Sequence, residues 1–224
     1  MCGRYTLKAE KEEMEKAFGA KVESAEALPA RYNIAPTQFV PVVRHLEADN
    51  FLSAMKWGLI PSWAKDHKIG SKMINARAET VAEKPAFRSA FKSRRCIVPA
   101  SGFYEWKKLE RGKQPFYFYL KDQPVLGFAG LWEEWRDTES GEILETCTII
   151  TTEANEVLLP VHDRMPVILK SEDYEQWLDS KEANKERLQK LLVPYPAIEM
   201  DSHSVSRAVN SPTADSPELI LNSK

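Results

Sequence analysis

Cys2 is the residue of this chain whose position offers the most unusual chemistry. If Met1 is removed, one residue carries both a free α-amine and a free thiol. The amine titrates near pH ~8 and the thiol near ~8.5, so part of each population is nucleophilic at neutral pH. An amine adds to an aldehyde and loses water to give an imine, and a thiol on the same residue can then close a five-membered thiazolidine ring. Because many chains carry a small second residue for reasons unrelated to chemistry, this motif alone leaves the role of Cys2 open.

Glu105 is a second candidate, because it lies between two aromatic residues, Tyr104 and Trp106, in a predicted strand. Burial beside aromatic rings raises the pKa of a carboxyl group by disfavouring its charged form. Such an acid can donate and recover a proton near neutral pH. The two-residue alternation of a strand puts Glu105 on the face of Phe103, which favours burial. A strand glutamate that faces water is the alternative.

Composition limits the class of protein. The chain has 224 residues and is 43% hydrophobic, which suffices for one sizeable core. No apolar run approaches the roughly 18 residues of a membrane span, and the N-terminus lacks the pattern of a secretory signal. We therefore expect a cytoplasmic protein, associated with the nucleoid if the source is bacterial. Cys2, Cys96 and Cys147 lie far apart, so neither a disulfide framework nor a metal site is expected.

The charge is distributed unevenly along the chain. Residues 56–95 contain ten basic and three acidic side chains, a net charge of +7, whereas the whole chain has a net charge of −2. A basic region on an otherwise acidic protein indicates a site for a polyanion. The aromatic residues Trp57 and Trp63 within this segment favour that interpretation over a solvated helix face, which is the alternative.

Hydrophobic periodicity predicts one α+β domain over residues 1–224. Its main element would be a mostly antiparallel, curled β-sheet, partly closed like a barrel and flanked by short helices. The tail from Val193 would wrap the surface. Predicted strands cover residues 39–45, 51–57, 96–99, 103–107, 115–120, 125–131 and 143–151. Predicted helices cover residues 6–18 with Thr6 as cap, 85–93, 153–159, a segment capped by Ser171, and 182–192.

Six segments, in this order along the chain, resemble the SRAP family, named for SOS-response-associated peptidases. The segments are MCGRYT (1–6), YNIAPT (32–37), INARAET (74–80), SGFYEWK (101–107), VHDRMPVIL (161–169) and VSRAVNSPTADSPELI (205–220). Each motif is weak alone, but six in order over nearly the whole chain form a specific pattern. The family often has Phe where this chain has Tyr5, which adds only a hydroxyl group.

The resemblance implies a sensor of abasic sites in single-stranded DNA that forms a DNA–protein crosslink through Cys2. It implies that Glu105 is an active-site acid. It also implies that His162, rather than another histidine, assists opening of the sugar ring, and that Asn75 holds the α-amine or the sugar hydroxyl in line. The family name further implies thiol peptidase or lyase-type chemistry, which we expect to be self-processing. No cofactor or metal is expected, and we expect a monomer.

The DNA contacts are expected from the same segments and from the basic region. Arginines beside the catalytic candidates would clamp phosphates, an exposed tryptophan would stack on a base, and two polar residues would make lesser contacts. These residues are Arg4, Arg77 and Arg164 as clamps, Trp63 as the stacking residue, and Asn33 and Thr151 as lesser contacts. Trp57 is expected in the core.

Two other functions remain open at this stage. An N-terminal-nucleophile amidohydrolase also begins with Cys-Gly, but such enzymes typically carry an Asn-Gly pair for the oxyanion hole, and this sequence contains none. A non-catalytic single-strand-binding protein would need only the basic segment and Trp63.

Overall fold

The β-strands of the chain form two sheets around a shared hydrophobic core. The computed structural model describes residues 2–22 and 29–223. In the core, the Phe103 ring stacks on Phe118 with 5.3 Å between centroids and meets Phe128 edge-on at 6.0 Å. Phe103 and Phe118 belong to one sheet and Phe128 to the other, so aromatic contacts join the two sheets.

The described strands are, in chain order, β1 Tyr5–Leu7, β2 Ala20–Val22, β3 Arg31–Ile34, β4 Phe39–Leu46, β5 Asp49–Trp57, β6 Asn75–Arg77, β7 Arg95–Ala100, β8 Gly102–Lys108, β9 Lys113–Leu120, β10 Leu126–Arg136, β11 Ile143–Glu153, β12 Arg164–Pro166, β13 Ile168–Leu169 and β14 Met200–Ser204. Most pairs are antiparallel. The parallel pairs described are β2–β5, β5–β11 and β6–β11.

The larger sheet closes partly on itself. Its strand order is β12-β11-β10-β7-β4-β5-β2, with β13 beside β10 and β6 beside β11. At the end of β5, Lys56 and Trp57 pair with Thr146 and Cys147 of β11, which joins five strands into a ring. Trp57 is fully buried and donates its indole N–H to the Ile74 carbonyl at 2.9 Å. The expected barrel-like curl and the core position of Trp57 are both confirmed.

The smaller sheet has the order β14-β9-β8-β1-β3. One face of β8 and β9 packs on the core, and the other face carries aromatic residues that the C-terminal segment covers. Tyr104 and Tyr117 form a separate buried cluster with Val205, Val209 and Leu219 from that segment. The tail from Val193 therefore does more than wrap the surface, because it also supplies β14 to the sheet.

Short helices flank the sheets. The described α-helices are α1 Lys11–Phe18, α2 Arg88–Ser93, α3 Tyr174–Leu178 and α4 Lys185–Lys190. The described 3-10 helices are His67–Lys72, Ser171–Asp173, Ala197–Glu199, Arg207–Asn210 and Pro217–Ile220. Within residues 2–22 and 29–223, none of these helices has the length and apolarity that crossing a bilayer requires.

Thr6 does not cap the first helix, which corrects the sequence prediction. It lies in β1, where its hydroxyl is 2.9 Å from the Tyr117 hydroxyl in the core. The helix begins later, at Lys11, where Glu10 and Glu13 form a capping box with a bond of 2.9 Å from the Glu10 amide to the Glu13 carboxylate. Helical spacing of apolar residues extended the prediction across a strand too short to show its own period.

The predicted helix 153–159 is also wrong. Strand β11 continues to Glu153, and the chain then turns, because the Asn155 carboxamide accepts a hydrogen bond from the Leu158 amide at 3.1 Å and donates to the Tyr195 carbonyl at 2.8 Å. These bonds replace the helical pattern with a turn. The helices expected within 85–93 and 182–192 are present but shorter than predicted.

Candidate functional site

Pairing of β1 with β8 brings Cys2 near Glu105. The Tyr104 amide donates to the Arg4 carbonyl at 3.0 Å, which extends the contact between the two strands toward the N-terminus. Cys2 is fully buried and Glu105 is 2% exposed. The thiol and the carboxyl group therefore share one enclosed end of the smaller sheet.

Burial sets the protonation of Glu105. The side chain lies on the inner face of β8, as alternation predicted, and its cross-strand partner is Phe116. Desolvation raises its pKa from 4.5 to about 7, and the carboxylate of Asp163 contributes in the same direction. A carboxyl group with this pKa exchanges its proton readily at neutral pH, which suits general acid–base catalysis.

The Cys2 thiol is held in its neutral form. Burial raises its pKa well above the usual value, and the negative charge of Glu105 raises it further, although the Arg4 amide donates a hydrogen bond to the sulfur that opposes these effects. A buried neutral thiol is a weak nucleophile until a base removes its proton. Any reaction at this residue therefore requires a nearby proton acceptor.

The second half of the site is built on β11. Strand β6 pairs with it in parallel, so that Asn75 lies opposite Ile149 and Arg77 opposite Thr151. On the other side of β11, β12 begins with Arg164, two residues after His162. Residues 75, 77, 151 and 164, which are distant in the sequence, thus lie on three adjacent strands.

The carboxamide of Asn75 has an unused acceptor. Its nitrogen donates to the Ile149 carbonyl at 3.4 Å. Its Oδ1 atom is buried and has no hydrogen-bond partner among residues 2–22 and 29–223. A buried acceptor without a partner is costly, and a ligand that carries N–H or O–H groups would satisfy it.

His162 has two partners at the same ring nitrogen. The Arg164 amide donates to Nδ1 at 3.0 Å, and Oδ1 of Asp163 lies 3.1 Å from the same atom. The amide contact fits the neutral ring, whose proton is then on Nε2, whereas the carboxylate contact fits the protonated ring. Burial lowers the pKa of His162, and Asp163 opposes that effect. We take the amide contact as the ground state, because a lowered pKa favours the neutral ring.

Asp163 connects the two halves of the site electrostatically. Its carboxylate raises the pKa of both Glu105 and His162. The turn that carries His162 therefore lies within electrostatic range of Glu105, which in turn acts on Cys2. Asn75 lies on β6, which pairs with β11 as β12 does.

Arg4 and Asn33 fasten the C-terminal segment to the site. The Arg4 guanidinium donates to Oδ1 of Asn33 at 2.7 Å and to the Val209 carbonyl at 2.8 Å. The side-chain nitrogen of Asn33, Nδ2, donates to the carbonyls of Ser211 and Ala214 at 2.9 and 2.7 Å. Asn33 is fully buried, so in this structure its side chain holds the C-terminal segment, and its contact with DNA stays a prediction.

The Arg164 guanidinium also binds groups of the protein itself. It forms a bidentate ion pair with Glu79, and its Nη2 atom donates to the Thr151 carbonyl at 2.6 Å. Thr151 is only 1% exposed, and its hydroxyl donates to the Ala76 carbonyl at 3.3 Å. The contact of Thr151 with DNA stays a prediction. The Arg164 ion pair lowers the pKa of Glu79.

Two of the residues expected to contact DNA are exposed to solvent. Arg77 is exposed, and the Trp63 side chain is 61% exposed despite its large apolar surface. The loop that carries Trp63 is fixed where the backbones of Gly58 and Gly70 touch, since a Cβ atom at either position would lie 2.6 Å from the carbonyl oxygen of the other. An exposed indole on a fixed loop is suited to stacking on a base.

Sequence reasoning missed Asp163 and Glu79 as parts of the site. Both lie inside motifs that were recognised, VHDRMPVIL and INARAET, but nothing in the spacing revealed their partners. The structure describes no group of three or more histidine, cysteine, aspartate or glutamate side chains, within 2–22 and 29–223, that could hold a metal ion.

Comparison with known proteins gives a consistent result. The model of the SRAP family, described as SOS response associated peptidase, matches residues 1–212. The chain is 48% identical over 223 residues to the abasic site processing protein YoqW of Bacillus subtilis, and the match covers 98% of this chain and 99% of that protein. It is 34% identical over 219 residues to the abasic site processing protein HMCES of Xenopus tropicalis, covering 84% of this chain and 65% of that protein.

Solved structures have the same fold. A crystal structure of a protein from Bacteroides thetaiotaomicron superposes with a TM-score of 0.91 at 29% identity, and each chain is covered completely. A protein from Bordetella bronchiseptica superposes with a TM-score of 0.77 at 31% identity, covering 92% of this chain.

Proposed function

The chain belongs to the SRAP family, and from this premise we propose that it processes abasic sites in single-stranded DNA by forming a covalent crosslink through Cys2. The observation that supports this most directly is the enclosure of the Cys2 thiol beside Glu105, a carboxyl group whose pKa is about 7. The names of the relatives support the substrate, since YoqW and HMCES are both abasic site processing proteins.

The reaction begins at the amine that removal of Met1 would expose on Cys2. An abasic deoxyribose opens from its hemiacetal to an aldehyde, and protonated Glu105 assists by donating a proton to the ring oxygen as the ring bond breaks. The amine adds to the aldehyde carbon, and loss of one water molecule leaves an imine. The acceptor oxygen of Asn75 is suited to holding the attacking N–H group, because it has no other partner within residues 2–22 and 29–223.

The second step closes the ring. The Cys2 sulfur adds to the imine carbon, and the carboxylate of Glu105 takes the thiol proton and passes it to the former imine nitrogen, so that one thiazolidine forms for each water lost and Glu105 returns to its carboxylate form. Because amine and thiol belong to one residue, this step is intramolecular, and effective molarities of 10⁵ M or more are possible. His162 would carry protons at Nε2 in both steps.

The same groups would account for the peptidase in the family's name. Cys2 would supply the thiol, and Glu105 and His162 would carry protons. Together these groups would cleave the bond after Met1 or later release the crosslink. We propose this as self-processing, acting on the chain's own bonds.

A denaturing gel tests the proposal. The protein is incubated with a single-stranded oligonucleotide that carries one abasic site, and we expect a heat-stable adduct. Cys2→Ala should abolish it, and Cys2→Ser should leave at most an imine that borohydride traps. Cys96→Ala is the matched control, because Cys96 is an equally buried thiol without an α-amine, and it should form the adduct normally. A full adduct with Cys2→Ala would refute the mechanism.

A further inference from the structure

A second cationic surface lies beside the site, outside the basic segment 56–95. It is an open cavity of about 530 Å³ lined by Trp106, Gly112, Lys113, Arg207 and Asn210. We call this surface the shelf. Both of its charged side chains are basic and exposed. Neither Lys113 nor Arg207 has a carboxylate within ion-pair distance among the residues the structure describes, in contrast to Arg164, which Glu79 neutralises.

The shelf is continuous with the candidate site. Trp106 follows Glu105 directly, and its indole N–H donates to Oδ1 of Asn210 at 2.7 Å. The Asn210 carbonyl accepts from the Arg4 guanidinium at 3.4 Å. The positive charge of Lys113 also reaches His162, where it contributes to the lowered pKa. The shelf thus begins where the enclosure around Cys2 ends.

The elements that carry the shelf are well fixed. Lys113 begins β9 beside the turn of the β8–β9 hairpin, and residues 107–113 around this turn also carry Lys107, Lys108 and Arg111 against one acidic residue, Glu110. Arg207 begins the 3-10 helix Arg207–Asn210, which Arg4 and Asn33 hold against the sheet through the Val209 carbonyl. Two segments that are distant in the sequence therefore present their cations on one surface.

From this arrangement we propose that the shelf binds the phosphodiester backbone of the single strand on one side of the lesion, with Lys113 and Arg207 each contacting a phosphate. The inference depends on the proposed function for the identity of the ligand. In this proposal, the flank on the other side of the lesion is assigned to Arg77 and Trp63, which are exposed members of the basic segment 56–95. Backbone contacts of this kind are independent of base sequence, as a reader of a missing base requires.

Binding to an intact strand tests the shelf without any crosslinking chemistry. The affinity of a fluorescein-labelled oligothymidine is measured by anisotropy over a range of salt concentrations. Replacing both Lys113 and Arg207 by Ala should weaken binding and reduce the slope of log K against log salt by about 1.4, at roughly 0.7 per phosphate contact on a single strand. Lys181→Ala with Lys190→Ala is the matched control, since it removes two exposed cations from a distant groove.

An unchanged slope in the shelf variant would overturn the proposal, and so would an equal reduction in the control, which would show an effect of net charge alone. A second arm uses oligonucleotides with the abasic site near one end or the other. In the shelf variant, adduct formation should be slower only with the oligonucleotide whose longer stretch of DNA lies on the shelf side of the abasic site. Equal slowing with both oligonucleotides would contradict a contact on one side only. If wild type formed no adduct, the proposed function would fail, while the anisotropy arm would still decide the shelf.

Discussion

Glu105 makes the stability of the fold depend on pH in a way that one substitution can isolate. In the unfolded chain its pKa is the ordinary 4.5, and in the folded protein desolvation raises it to about 7. Below pH ~4.5 the carboxyl group is protonated in both states, so it carries no ionisation cost. Between these values only the unfolded chain loses the proton, and stability falls as pH rises. Above pH ~7 the full cost is present.

The magnitude follows from the pKa difference. Each pKa unit is worth about 1.4 kcal/mol, so Glu105 destabilises the folded state by about 3 kcal/mol at alkaline pH. Between pH ~5 and ~8.5 the linkage relation gives a change of about 2.5 kcal/mol. Because Glu105 is only 2% exposed, solvent screens this cost little. Glu105→Gln removes the titration and keeps the shape of the side chain.

Urea unfolding of wild type and Glu105→Gln across this pH range measures the effect. The difference in free energy of unfolding between the variant and wild type should rise by about 2.5 kcal/mol, in favour of the variant, from pH ~5 to ~8.5. Changes in hydrogen bonding are independent of pH, so they cancel when the two pH values are compared. Glu110→Gln, at an exposed position of the same hairpin, is the control for removing one carboxylate from the chain. A flat difference for Glu105→Gln would refute the burial argument and with it the role of Glu105 as a neutral-pH acid.

Three further outcomes are expected. Tyr5→Phe should leave stability unchanged or raise it by up to about 1 kcal/mol in urea unfolding, because the buried Tyr5 hydroxyl has no hydrogen-bond partner within residues 2–22 and 29–223. Gly102→Ala should lower stability by about 1–3 kcal/mol or more, measured in the same way, since its Cβ atom would lie 2.4 Å from the Tyr117 hydroxyl. Asp163→Asn should lower the pKa of His162 further, because it removes a negative charge that favours the protonated ring. NMR titration should then show that the ring becomes neutral at a lower pH.

Each of these has a distinct contrary result. A clear loss of stability in Tyr5→Phe would show that the hydroxyl is satisfied in solution. Normal stability of Gly102→Ala would show that β8 and β9 can separate. Asp66→Asn is the control for the histidine titration, because Asp66 lies 3.8 Å from a different histidine, His67, and should leave His162 unaffected. A His162 pKa that rises or stays constant in Asp163→Asn would contradict the electrostatic contact.

The long strands were predictable from the sequence because their composition is typical of strands. The segments 39–45, 51–57 and 143–151 are rich in apolar, aromatic or β-branched residues, and each is present in the structure with slightly wider bounds. Alternation also favoured burial of Glu105, with a glutamate that faces water as the alternative. What the sequence could not show was ring closure of the larger sheet, since pairing of β5 with β11 joins residues about ninety positions apart.

The arginines mark the limit of prediction for the site. Sequence motifs give residue types, and Arg4, Arg77 and Arg164 look equivalent as phosphate clamps. In the structure, only Arg77 among them is exposed without a described ion pair or hydrogen bond, whereas Arg4 holds the C-terminal segment and Arg164 is paired with Glu79. Whether a guanidinium is available depends on partners brought from elsewhere in the chain, and spacing carries no information about them.

Asn75 and the segments beside Cys2 and His162 lie on or next to very short strands, whereas Glu105 lies on the longer β8. Strands β1, β6 and β12 are three residues long each, too short for a two-residue alternation to be recognised, and none was predicted. Each gains its geometry from a longer neighbour: β8 positions β1, and β11 positions both β6 and β12. The long strands therefore specify where the site is, while the short strands supply Asn75 and the segments beside Cys2 and His162. A variant that disturbs β11, such as a proline within it, should for this reason abolish the site before it abolishes the core of the smaller sheet.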